Sequence, residues 1–244
     1  MSAIHRENSE AQEFDLLYGI HTVSEALNNP KRKPVQLLAT KNAAARLAAE
    51  IAKRGIVVEE APPKALDRLT GPEAVHQGVV LKAKSLIQPR LDQIPRTGIV
   101  VMLDQVTDPH NVGAIMRSCA AFAVTALVAT ARHSPEASGV LLKAASGAYE
   151  HVPFVKITNL SRGMEELRTY GFRLVGLDSD AEIPLADVDK APPLALVLGA
   201  EGKGLRQLTK QTCDVVARLD LPGVIQSLNV SNAAAIALAE LNRR

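Results

Sequence analysis

The chain has no tryptophan, and aromatic residues make up only 3% of it. Its core is therefore expected to be aliphatic, built from Ala, Val, Leu and Ile. A protein that lays many nucleic-acid bases along aromatic platforms is disfavoured, because few platforms exist. Cysteine is as scarce: Cys119 and Cys213 are the only two. They lie too far apart and are too few for a disulfide framework, and read as buried thiols in a reducing compartment. No CxxC and no closely spaced His/Cys set offers a metal site, so no metal is expected. No apolar run approaches the ~20 residues of a membrane span. The opening MSAIHRENSEAQEF is polar and mixed in charge, unlike a signal peptide. The expected compartment is the cytoplasm, with no membrane partner. Charge of one sign is also missing: the net charge is +2, which permits a polyanionic partner without demanding one.

What is present describes an ordinary globular protein: 244 residues, 47% hydrophobic and 22% charged, enough for one large domain or two small ones. Residues 1–14 read as a flexible arm. Over residues 15–84 the pattern predicts a small α/β sandwich. Its helices are expected over 23–27 and 43–53 and after Pro63, with Gly55 as the C-cap of the second. Its strands are expected over 36–39, 56–59 and 78–83. The basic run Lys31, Arg32, Lys33 is either solvated surface or a phosphate contact. Residues 85–97, with two prolines and no clear period, read as a linker.

From residue 98 to 244 a second α/β pattern runs. Strands are expected over 99–103, 126–129, 151–155, 172–177, 194–198 and 215–219. Helices are expected over 112–122, 139–145, 160–170 and 205–212, and a final Ala-rich helix closes the chain. Such alternation predicts a mostly parallel sheet covered on both faces.

Three stretches of this second half could carry chemistry. In DQVTDPHNVGAIMRSCAAF, from residue 104, Asn111 is placed to cap a helix. Arg117 falls off that helix's apolar stripe, one turn beyond Gly113. It is either a surface arginine or a guanidinium beside a gap that admits a phosphate or ribose. In LALVLGAEGKGLRQL, from residue 194, an apolar strand enters a glycine-rich turn. The spacing fits neither a phosphate loop nor the dinucleotide fingerprint. Glu201 inside the turn would repel a phosphate, so a neutral or cationic group or a sugar hydroxyl fits better. The third stretch is LPGVIQSLNVSNAAAIALAEL, from residue 221. Four small polar residues (Ser227, Asn229, Ser231, Asn232) precede its helix where one would cap it. They read either as a frayed cap or as the polar floor of a pocket.

Taken together, NVGAIMR (111–117), LGAEGKGL (198–205) and SLNVSNAAAIAL (227–238) resemble the three signature motifs of the SpoU (TrmH) family of RNA ribose methyltransferases. Asn232 departs from the pattern, standing where another small residue is common. YGIHTVSEAL (18–27) and HQGV (76–79) resemble the ends of that family's L30-like RNA-binding domain. The resemblance implies a trefoil-knotted α/β domain, a fold feature that composition could not suggest. It also implies S-adenosylmethionine as methyl donor, held near Gly199, Leu219 and Leu228, and a homodimer with active sites near the subunit interface. The substrate it implies is structured RNA, most closely a guanosine ribose of large-subunit ribosomal RNA. Transfer RNA is the second reading, and a non-catalytic RNA-binding or ribosome-assembly factor is the rival from another class.

The resemblance assigns Arg117 to activating the ribose 2′-hydroxyl, with Asn111, Glu201, Ser227 and Asn229 positioning the ribose and ordering the loops. Arginine stays charged, with a pKa above ~12. An alternative role for Arg117 is therefore to clamp a phosphate and stabilise the developing alkoxide.

Overall fold

The structure is a computed structural model and describes residues 14–225 and 227–243. The arm expected over residues 1–14 lies outside these, apart from Phe14, which opens a strand. The chain divides into two compact units: residues 1–87 with 137–143, and residues 88–136 with 144–244.

The first unit runs β1 (Phe14–Tyr18), α1 (Ile20–Asn28), β2 (Pro34–Ala39), α2 (Lys41–Arg46), α3 (Ala48–Arg54), β3 (Val58–Glu60), α4 (Pro63–Thr70) and β4 (Val79–Lys84). Its sheet has the order β1-β4-β2-β3. β4 is antiparallel to both neighbours, while β2 and β3 are parallel. The single helix expected over 43–53 is two, broken at Leu47 with φ −107° and ψ 14°. Gly55 ends α3 in the left-handed conformation, as its position predicts.

β1 escaped the sequence pattern for a physical reason. One of its inward positions is Asp15, not a hydrophobe, and Asp15 is buried against Arg32. The basic run is therefore not uniformly solvated: Arg32 is fully buried and donates to Asp15 and to the Lys84 carbonyl, the latter at 3.1 Å.

The two segments that resemble an L30-like domain meet through side chains. His76 Nδ1 accepts the Gly78 N–H at 3.0 Å, which leaves Nε2 to donate to Asp67 Oδ1 at 3.0 Å. Gln77 Oε1 accepts the Ile20 N–H at the start of α1, at 3.0 Å.

The second unit contains β5 (Ile99–Asp104), α5 (Pro109–Ala121), β6 (Ala126–Thr130), the end of α6 (Gly139–Ala145), β7 (Phe154–Ile157), α7 (Leu160–Thr169), β8 (Arg173–Leu177), β9 (Ile183–Pro184), β10 (Leu194–Gly199), α8 (Gln207–Thr212), β11 (Val215–Arg218) and α9 (Val230–Leu241). Its seven strands lie in the order β7-β6-β5-β10-β8-β11-β9, and every pairing is parallel. All residues of β5 and β6 are buried, as expected of strands covered on both faces. One face carries Val100, Met102, Val128, Ala195 and Val197, packed with Leu160, Met164 and Leu167 of α7. Leu91 and Ile94 join that cluster, so the stretch expected to be a linker contributes core residues. α5 and α9 pack on each other, and α9 also touches β10.

Although α6 follows β6 in the chain, its first five residues cluster with the first unit. A glycine makes the approach possible: a Cβ on Gly139 would stand 2.5 Å from the Tyr18 ring and 3.1 Å from the Leu16 carbonyl. Lys143 on the same helix donates to Gln77 Oε1 at 2.8 Å. Among the described residues no helix is long and apolar enough to cross a membrane.

Candidate active site

The site is built where β10 ends. Its two sheet neighbours, β5 and β8, end beside it, and each chain leaves its strand on or just before a buried carboxylate. Asp104 closes β5 and is 1% exposed; Asp178 follows β8 and is 7% exposed. Asp104 accepts the Arg206 backbone N–H at 3.0 Å and the guanidinium Nε at 2.6 Å. Asp178 accepts the Leu205 N–H at 3.3 Å and the Asp180 N–H at 3.2 Å, and pairs with Lys210 at 2.8 Å. Burial acts to raise the pKa of Asp178, but the Lys210 ammonium and the two backbone N–H groups outweigh it and hold the carboxyl below its ordinary value.

The glycine-rich turn after β10 is thus tied down from both sides. It also folds back on itself: the Gly204 N–H donates to the Ala200 carbonyl at 2.9 Å. A Cβ on Gly199 would lie 2.2 Å from the Gly204 backbone, so only glycine allows this closure.

Against this turn, residues from all three sequence motifs meet. Asn229 Nδ2 donates to Asn111 Oδ1 at 3.0 Å and lies 3.4 Å from Glu201 Oε2, while Asn111 Nδ2 lies 3.5 Å from the same oxygen. The other end of the Asn229 side chain caps α9. Its Oδ1 accepts the Ser231 N–H at 2.9 Å and the Ser231 hydroxyl at 2.6 Å, which fixes which way the amide points. Cap and pocket floor are therefore one residue, with the oxygen serving the helix and the nitrogen serving the site. Asn111 does not cap α5. Asp108 does, through its side chain to the His110 N–H at 3.0 Å, because Pro109 starts the helix earlier than its apolar stripe suggests. Asn111 is thereby free to face Glu201.

Two cavities flank this cluster. The first, of about 170 Å³, is lined by Gly199, Leu219, Leu228, Ser227 and Asp178, with Leu177, Leu198 and Leu221 as apolar walls. The second, of about 380 Å³, lies over the turn that follows β5 and includes Asn111 in its lining. Ala200, Glu201 and Val230 line both. S-adenosylmethionine suits the first cavity by its donor set: leucines for an adenine ring, a backbone loop for its polar edge, and the Glu201 carboxylate for its cationic end.

Arg117 stands apart. It is exposed on α5 and lines neither cavity. Asn232 is exposed and also outside both. The thiols are not part of the site: burial pushes Cys119 far up, and burial first, then Asp214, pushes Cys213 up to about 12.

The residues that sequence reasoning missed are Asp104 and Asp178. A signal for both was available, since each is an acid that directly follows a run of uncharged strand residues, IVVML and LVGL.

Comparisons with known proteins agree on one family. Residues 98–239 match the SpoU rRNA Methylase family, and residues 16–89 match the RNA 2′-O ribose methyltransferase substrate binding family. The 23S rRNA (guanosine-2′-O-)-methyltransferase RlmB of Yersinia pestis is 34% identical over 94% of this chain and 97% of its own. RlmB of Ralstonia nicotianae is 36% identical over 94% of this chain and 95% of its own. Among solved structures, the SpoU methyltransferase AviRb from Streptomyces viridochromogenes, in complex with AdoMet, superposes with a TM-score of 0.79. It shares 25% identity over 94% of this chain and 89% of that one.

Proposed function

Because the chain belongs to the SpoU rRNA methylase family, and so transfers a methyl group from S-adenosylmethionine to a ribose 2′-hydroxyl of RNA, we propose that its target is a guanosine of 23S ribosomal RNA. We propose further that it works as a cytoplasmic homodimer, with each active site shared between subunits. The RNA-target reading rests on the RlmB relatives and on the substrate-binding match over residues 16–89. The observation that carries the site assignment is the meeting of Asn111 and Asn229 at Glu201, a residue that lines both cavities.

In this reading the family's trefoil threading belongs to the segments around residues 199–205 and 219–228, and Gly199, Leu219 and Leu228 hold the adenosyl group. The cofactor supplies an activated methyl on a sulfonium, which is already a good leaving group, so alignment and removal of the hydroxyl proton are the remaining demands. Glu201 and the two asparagine amides present an acceptor and donors to the ribose from a pre-formed cluster. Ser227 lines the smaller cavity and is assigned to position the ribose. Arg117, always charged, stabilises the negative charge that develops on the ribose oxygen and clamps the neighbouring phosphate. Since Arg117 lines neither cavity of its own chain, the partner subunit's Arg117 is assigned to complete the site.

Single-turnover methylation of a 23S rRNA fragment tests this. Arg117→Ala is expected to lower the rate by about 10²–10³-fold, the cost of removing one group that stabilises transition-state charge. Arg117→Lys is expected not to rescue it, because the planar fork is lost. Mixing inactive Arg117→Ala with inactive Asn229→Ala chains is expected to restore activity, because one of the two sites in a mixed dimer is intact only if Arg117 acts across the interface. A near-normal rate for Arg117→Ala removes that residue from the mechanism. Failure to bind S-adenosylmethionine in a calorimetric titration of the wild-type chain favours a non-catalytic assembly factor.

A further inference from the structure

The larger cavity offers more than a ribose needs. It lies over the turn that follows β5, and Gln105, Thr107, His133 and Lys203 line it together with Asn111 and Glu201. Among the described residues, the side chains of those first four have no protein hydrogen-bond or ion-pair partner. Two of them carry a further signature. Gln105 is held at φ 60°, a left-handed conformation that is unfavourable for a residue with a side chain and that tends to persist where it aims a functional group. Among the described residues His133 is the only ring in the lining, in a chain whose aromatic content is 3%.

Single bases of RNA are read after they leave the stack, by lying against a ring and by hydrogen bonds along an edge. We propose that this cavity receives the base of the target nucleotide, with the His133 ring as the surface it stacks on and the Gln105 amide as the group that reads its edge. The inference rests on the methyltransferase reading above and adds the residues that select the base. The shared wall of Ala200, Glu201 and Val230 makes the placement chemically sensible: a base held in the larger cavity leaves its own ribose close to Glu201 and to the smaller cavity. The donor inventory favours guanine. Lys203 carries only donors, which suit a carbonyl O6 and oppose the exocyclic amine of adenine. The Gln105 amide offers an acceptor and a donor to the N1–H and O6 pair beside it; turned over it would serve adenine equally, so the choice of guanine rests on Lys203.

The test is steady-state and single-turnover methylation by the full chain of two RNA fragments, differing only in guanosine or adenosine at the target. His133→Ala is expected to raise KM for the guanosine RNA by about tenfold, the size of one lost base–ring contact, with the single-turnover rate at saturation little changed. His133→Phe is expected to recover most of that loss, since a phenyl ring stacks but cannot hydrogen-bond. Gln105→Gly relieves the backbone and removes the amide, and is expected to raise KM for both RNAs while S-adenosylmethionine binding is retained; Lys203→Met is expected to narrow the preference for guanosine over adenosine. Unchanged KM in His133→Ala or in Gln105→Gly, a His133→Phe variant as weak as His133→Ala, or unchanged base preference in Lys203→Met overturns the proposal. A wild-type chain that methylates neither RNA points instead to failure of the target assignment, so the two failures are distinguishable.

Discussion

The first unit buries Arg32 and Asp15 against each other with exposures of 0% and 3%. In the second unit the buried carboxylates Asp104 and Asp178 pair with cations that remain partly in solvent, Arg206 at 47% and Lys210 at 33%. The chemistry is the same, but the location differs. Asp15 and Arg32 close β1 and the segment before β2 around a shared partner set that includes Ser85 and the Lys84 carbonyl. The other two carboxylates stand at strand ends and hold the turn that builds the site. A buried pair that is closed on itself is costly to break from either side, because removing one partner leaves the other's charge buried and uncompensated. A pair half in water, at the rim of a parallel sheet, serves preorganisation of a loop.

That contrast can be broken experimentally. The largest effect is expected from Arg32→Ala, which leaves Asp15 buried without its cation and costs about 3–5 kcal/mol. Denaturant unfolding followed by far-ultraviolet circular dichroism measures it. Both cysteines lie in the second unit, so thiol labelling at low denaturant should not accelerate in this variant. Parallel acceleration would mean that the two units unfold together.

Asp104→Asn is expected to cost less stability, about 1–3 kcal/mol for a damaged buried hydrogen-bond set, but to act on function. Loosening the 200–206 turn by about 1.4 kcal/mol corresponds to a tenfold loss of S-adenosylmethionine affinity, read by calorimetry. Unchanged affinity would reassign Asp104 to the fold alone.

Smaller again is the pH-dependent part carried by Asp178. Its folded pKa is depressed, so its stabilisation is complete above the ordinary carboxylate pKa of about 3.9 and is lost as pH falls through the folded value. The gap in unfolding free energy between wild type and Asp178→Asn is therefore expected to be constant near neutrality and to close only in acid. The smallest expected effect concerns the thiols. With Cys213 at about 12 and Cys119 buried, neither should react measurably with a disulfide reagent at pH 8 in the folded protein. Rapid labelling of one thiol would show that the second unit opens locally.

Much of the fold was legible because it follows local rules. The apolar run at β5, the Gly55 cap of α3 and the α6 boundaries could be read from spacing and turn chemistry alone. β1 was not legible, since an inward Asp15 hides its alternation, and neither was the two-residue β9. In the site, Asn229 was legible as polar excess before a helix. Its double use was not, because only the packed amide shows one end on Ser231 and the other on Asn111.

The sequence by itself determined most of the strands and helices and which polar residues exceed structural need, because these depend on neighbours a few positions away; β1, β9, the break at Leu47 and the early start of α5 it did not determine. Only the tertiary structure decided that β10 lies between β5 and β8, and that ordering sets the 199–206 turn beside the end of β5 and the start of α5. Asn111, Glu201 and Asn229 meet for the same reason: strand order and the packing of α9 on α5 are long-range pairings, on which hydrophobic periodicity carries no information. The spacing told that Arg117 is off the buried stripe, and packing alone told that it faces neither cavity of its own chain.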